Sequence, residues 1–65
     1  MKYSKTIEMY FTGMVIADVK RSDGTSAGKN YFHNYPFESD SHLMGRAHKW
    51  ADSRIKLLEE KEIYS

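Results

Sequence analysis

Ser39-Asp40-Ser41-His42-Leu43-Met44-Gly45-Arg46-Ala47-His48-Lys49-Trp50-Ala51-Asp52-Ser53-Arg54-Ile55-Lys56-Leu57-Leu58-Glu59-Glu60-Lys61-Glu62 decides the fold of this chain. At 3.6 residues per turn, Leu43, Ala47, Ala51 and Leu58 fall on one line. Met44 and Ile55 flank it on one side, Trp50 and Leu57 on the other. The spacing predicts one amphipathic helix over about 40–61, the only segment long enough to cover a small sheet. Ser39, Asp40 or Ser41 can cap its first amides, and acidic residues there suit the helix dipole. Gly45 weakens the first turns by about 1 kcal/mol relative to alanine. Arg54 breaks the pattern by projecting into the apolar stripe between Ala47 and Trp50.

Upstream, Tyr3 to Lys20 alternates with period two. Ile7, Met9, Phe11, Val15, Ala17 and Val19 share one face; Thr6, Glu8, Thr12, Asp18 and Lys20 share the other. The run is long for one strand, and Gly13 interrupts it with no side chain to pack. The expectation is either one long bent strand or two strands meeting near Thr12-Gly13. Arg21-Ser22-Asp23-Gly24-Thr25-Ser26-Ala27-Gly28 reads as a loop around an Asp-Gly turn. Lys29 to Phe37 reads as the returning strand, with Tyr31, His33, Tyr35 and Phe37 on one parity and Pro36 marking an edge or the strand's end. The fold class is therefore α+β: a small antiparallel sheet of two or three strands, within 3–20 and 29–37, with one long C-terminal helix on one face.

At 65 residues the chain is one small domain. Such a chain buries only about 60% of its unfolded surface, so stability has to come from good local packing or from association. With no cysteine, disulfides and thiolate zinc sites are excluded. Ten basic and nine acidic residues leave a net charge of +1, which singles out no partner. Met1 to Lys5 lacks the apolar run of a signal peptide, and no segment approaches the roughly 20 apolar residues of a membrane span. The expected compartment is the cytoplasm, without membrane attachment.

Chemistry-bearing residues are present but scattered. Of His33, His42 and His48, only His48 shares a helical face with a carboxylate, Asp52, whereas catalytic zinc normally takes three protein ligands. Asp23-Gly24 and Gly28 do not open onto a helix, so they do not form a phosphate cradle. A domain this small has little room for both a core and a substrate pocket of about 300 Å³ or more. The expectation is a non-enzyme with no catalytic, cofactor or metal residues.

Two binding readings remain. The first is a small protein that acts as an adaptor or inhibitor by occupying a surface of another protein. Tyr10, Met14 and Ile16 lie on the outward face of the period-two segment and form an apolar patch suited to a partner or a second copy of the chain. Arg54 joins them if its guanidinium reaches a partner's carboxylate or phosphate; otherwise it snorkels along Leu57 or Trp50. In size and composition the chain resembles the small inhibitors and host-modulating proteins of phages and other mobile elements. The alternative is nucleic-acid binding, with Lys20, Arg21, Lys29, Arg46 and Lys49 on phosphates and Tyr31 and Tyr35 stacking on bases. The order of hairpin, Asp-Gly turn, aromatic strand and helix carrying Ala47-x-x-Trp50 is similar to the three-stranded sheet plus helix of AP2-like and integrase-arm DNA-binding domains. That resemblance is one of topology, covers residues 15–51 and implies DNA contact. Asp52 and Glu60 interrupt the basic sector of the helix.

Overall fold

Alternating apolar residues favour strands only if one face can be buried, and among the described residues a single helix is available to bury it. In a computed structural model, β1 (Tyr3–Phe11) and β2 (Met14–Arg21) form an antiparallel hairpin, β3 (Ser26–His33) pairs antiparallel with the other side of β2, and α1 (Asp40–Tyr64) packs across one face. The structure describes residues 2–11 and 13–64, with only the backbone of Phe11, Ile63 and Tyr64. The expected faces of the Phe11 side chain and of Thr12 lie outside the described residues.

Gly13 divides the period-two segment into two strands. Its φ of +87° is left-handed, and a Cβ there would stand 2.6 Å from Asn34 Oδ1, so both backbone and space require glycine. Register then follows from the turns. Ile7 faces Ala17 and Met9 faces Val15 across β1–β2, while Phe32 faces Val15 and Gly28 faces Val19 across β2–β3. A bulge between Met9 and Phe11 adds Tyr10 to β1.

The third strand departs from expectation. The sequence places it over 29–37, but it runs from Ser26 to His33 and pairs with β2. The turn is shorter than the loop read from Arg21 to Gly28, because Asp23 Oδ1 accepts from both the Thr25 amide (2.9 Å) and its hydroxyl (2.6 Å), closing the chain within four residues. Gly28 is a strand residue with Arg54 Nε and the Trp50 ring above it, not a flexible point in a loop. Beyond His33, Tyr35 to Glu38 forms a second turn. The helix, expected over about 40–61, continues to Tyr64.

Ser39 is the N-cap: its Oγ accepts from the His42 amide (3.2 Å) and its carbonyl from the Leu43 amide (3.0 Å). At 25 residues α1 is about 37 Å long, longer than strands of eight or nine residues. Its stripe lands on β2. Val15, Ala17, Val19, Leu43, Ala47 and Ala51 are fully buried, and Ile7, Phe32, Met44 and Trp50 pack around them. Trp50 meets Phe32 edge-on at 6.1 Å between centroids. Leu57, assigned to the flank of the stripe, is exposed.

Leu43 is among the largest fully buried side chains, in a core of mostly small residues. Leu43→Ala should cost about 2–5 kcal/mol. A domain of this length has only about 3–10 kcal/mol in total. Urea titration should therefore show a sharply lowered midpoint or an unfolded chain; an unchanged midpoint would mean that Leu43 does not hold the helix to the sheet.

Candidate functional site

β1, β2 and β3 each present every second residue away from α1, and no described element covers that face. Row by row it carries Glu8, Ile16 and Tyr31; then Thr6, Asp18 and Lys29; with Met14 opposite His33 and Tyr10 at the hairpin end. Tyr10 and Tyr31 are 59% and 53% exposed, with Met14 and Ile16 half-buried on the central strand. The three apolar residues expected to form a patch are thus on one surface, and Tyr31 joins them. Its place depends on a bulge between Val19 and Lys20, which shifts the ladder by one residue and sets Ile16 opposite Tyr31. A shallow hollow of about 160 Å³ overlaps this patch at Tyr10 and Ile16 and continues between Thr6, Glu8, Asp18, Lys20 and Lys29. Its charges interleave, two acids among two lysines. Asp18 accepts from the Ser26 hydroxyl at 2.8 Å, and the Lys29 ammonium lies 5.8 Å from the Tyr31 ring centroid.

The residues assigned to nucleic-acid contact are divided. Lys20, Lys29 and Tyr31 belong to the open face. Arg21 folds onto the turn, donating to Ser26 O (2.7 Å) and Thr25 Oγ1 (3.3 Å). Arg46, Lys49 and Tyr35 lie on the helix side of the molecule. Lys49 is exposed there, but Arg46 is committed within the chain. Its Nε donates to Glu38 Oε2 (2.7 Å), and its Nη2 donates to Glu38 Oε1 (2.8 Å) and His33 O (2.7 Å). Its guanidinium stacks on Tyr35 at 4.2 Å.

Glu38 is the acceptor of this cluster, with a side chain only 4% exposed. Besides Arg46, it takes the His42 ring Nδ1 (2.5 Å) and the Tyr35 amide (2.9 Å). The Arg46 hydrogen bonds, helped by His42 and Tyr35, bring its pKa down to about 2 against the opposing effect of burial. A carboxylate held that low is a poor general base near neutrality. At the far end of α1, Glu62 accepts from the Tyr3 hydroxyl (2.6 Å) and Lys2 (3.1 Å), which lowers its pKa and raises that of Tyr3. Lys5 pairs with Asp52 at 2.8 Å, beside a hollow of about 400 Å³ between β1 and α1 that Tyr3 and Ile55 help line. Among the described residues, no three His, Asp or Glu side chains gather as a metal site needs, and no helix is long and apolar enough to cross a membrane.

Arg54 lies across β3. Its stem covers Gly28, and a Cβ at position 28 would stand 3.1 Å from Arg54 Nε and 3.6 Å from its Cγ. That Nε is buried without a hydrogen-bond partner. The arginine therefore lies over the gap left by the glycine with its Nε, as well as its stem, in the packing.

No protein-family model matches this chain, and neither curated proteins nor solved structures give a match.

Two outcomes test this geometry. Arg54→Met keeps the stem and removes the unsatisfied Nε–H, so its melting temperature should equal or exceed that of the wild type; a clear drop would show that the guanidinium itself stabilises the fold. Glu38 has a depressed pKa, so its contribution is complete above its unfolded value of about 4.5 and is lost as pH falls toward 2. Glu38→Gln should melt below wild type at pH 7, and the gap should close between pH 4.5 and 2. A gap that stays constant over that range would remove Glu38 ionisation from the stability of the fold.

Proposed function

We propose that this chain is a small non-enzymatic binding protein that acts as an adaptor or inhibitor, occupying a surface of a partner protein with its open sheet face. The adjacency of Tyr10, Met14, Ile16 and Tyr31 on the side away from α1 carries this reading. Tyrosine and methionine are enriched at interface centres, and the charged half of the face supplies the polar rim such surfaces have. Among the described residues no element lies over that face, which leaves it accessible to a partner's surface or to a second copy of the chain.

Charge favours protein over nucleic acid. Glu8 and Asp18 stand among Lys20 and Lys29 on the open face, and Arg46 is neutralised by Glu38, so the basic residues assigned to phosphate contact do not act as one positive surface.

Immobilised wild-type chain and a Tyr10→Ala/Tyr31→Ala variant, exposed to lysate of the source organism, provide the test. The expected result is a discrete protein retained by wild type and reduced at least about tenfold by the variant, whose melting temperature is unchanged; two exposed tyrosines of hot-spot type account for that factor. Equal retention by both would remove the sheet face from binding. Random duplex and single-stranded DNA at low salt should not bind, and a steep log–log fall of affinity with salt would transfer the face to nucleic acid. A sedimenting dimer dispersed by Met14→Glu would identify the partner surface as a second copy.

A further inference from the structure

Between β3 and α1, Tyr35-Pro36-Phe37-Glu38 closes a turn in which the Glu38 amide donates to Tyr35 O at 3.0 Å. Pro36 suits the second position of such a turn. Phe37 does not suit the third. Its φ is +67°, a left-handed conformation that glycine or asparagine adopts readily and an aromatic residue rarely. Its side chain is also fully exposed, at 108% of the reference area. Two unfavourable circumstances meet at one residue, and a glycine would relieve both.

The turn holds because it is over-determined. Glu38 Oε1 accepts the Tyr35 amide, so the ends of the turn are tied through side chain as well as backbone. Arg46 fixes that carboxylate through two hydrogen bonds, donates a third to His33 O and stacks on Tyr35. Ser39 then caps α1 directly after the turn. The ring is therefore presented by a rigid frame, and ordering the loop costs little on binding. Asn34 donates its amide to Gly13 O, so the turn leaves the sheet beside the β1–β2 hairpin, and Phe37 lies within about 11 Å of that point by chain length.

We infer that Phe37 is an anchor that inserts into an apolar pocket on a partner protein, the pocket's rim being basic or hydrogen-bond donating to match exposed Ser39 and Asp40. A lipid surface fits less well. Residues 34–41 hold no basic side chain to meet anionic headgroups, and one ring falls short of the two signals that stable membrane attachment takes. The inference rests on the reading of the chain as a protein-binding protein, but not on the sheet face.

The full chain carrying Phe37→p-benzoylphenylalanine, irradiated in lysate of the source organism, tests it. The expected result is a discrete cross-linked protein, suppressed by excess wild-type chain and not by excess Phe37→Gly. With that protein purified, Phe37→Gly should weaken binding by about 30-fold or more, the loss typical of a hot-spot anchor, while melting at or above the wild-type temperature. Competition by Tyr10→Ala/Tyr31→Ala separates the two surfaces: if it competes as well as wild type, the sheet-face reading fails and the Phe37 anchor stands. The anchor is overturned if no protein cross-links, if the only product is a dimer of the chain, or if Phe37→Gly competes like wild type. It is equally overturned if Phe37→Gly melts well below wild type, or if phosphatidylserine vesicles bind the chain through Phe37.

Discussion

Ala17 on β2 and Ala47 and Ala51 on α1 set how closely helix and sheet approach, and the other contacts are arranged around that approach. With so little side chain between the two backbones, Val15, Val19 and Leu43 suffice to fill the centre, and all six residues are fully buried. Larger side chains are displaced to the margins, where Ile7, Phe32, Met44 and Trp50 remain partly exposed. A narrow core cannot grip a 25-residue helix along its whole length. Polar ties complete the attachment: Arg46 to His33 O and Glu38 near one end, Lys5 to Asp52 further along, Tyr3 and Lys2 to Glu62 near the other. The described chain is accordingly elongated, 42 × 20 × 15 Å.

That economy has a second consequence. Among the described residues one helix covers one face, and the other side of β2 is flanked by its neighbours on β1 and β3. Apolar exposure is concentrated toward the Gly13 end, where Tyr10, Met14 and Tyr31 occupy the open face and the Tyr35–Glu38 turn leaves the sheet. Charge dominates toward the Arg21 end, with Asp18, Lys20 and Lys29 on the face and Lys2 and Glu62 behind it. The long axis thus separates an end rich in exposed rings from an end rich in solvated charge.

Much of this was legible in the residues. Period two from Tyr3 to Lys20 and the stripe from Leu43 to Leu58 give the strand segment and the helix, while Gly13 leaves open whether that segment is one bent strand or two. The Asp23-Gly24 turn places the β2–β3 reversal, although a bulge between Val19 and Lys20 sets the register of the rest of the ladder. What misled was tertiary. Gly28 resembles a loop residue because the groups that pack against it, Arg54 and Trp50, come from a helix more than twenty residues later. Tyr35 and Phe37 continue the strand parity of Tyr31 and His33, yet a carboxylate at Glu38 draws them into a turn. Arg46 resembles a free surface cation because helix projection compares residues three or four apart, whereas its partner sits eight residues earlier, before the helix begins.

Glu38 therefore bears on both functional readings. An arginine on a helix face can serve phosphate recognition only if its guanidinium is available, and this one has a largely desolvated carboxylate in bidentate contact, with a backbone carbonyl and an aromatic ring completing its shell. Releasing Arg46 for a phosphate would leave Glu38 charged with little solvent around it, and would loosen the turn that raises Phe37 into water. One ion pair thus withdraws a cation from the helix face and fixes an aromatic ring beside the sheet's apolar end. For phosphate binding the first effect is a loss. For a partner protein the first costs nothing and the second supplies a preorganised contact.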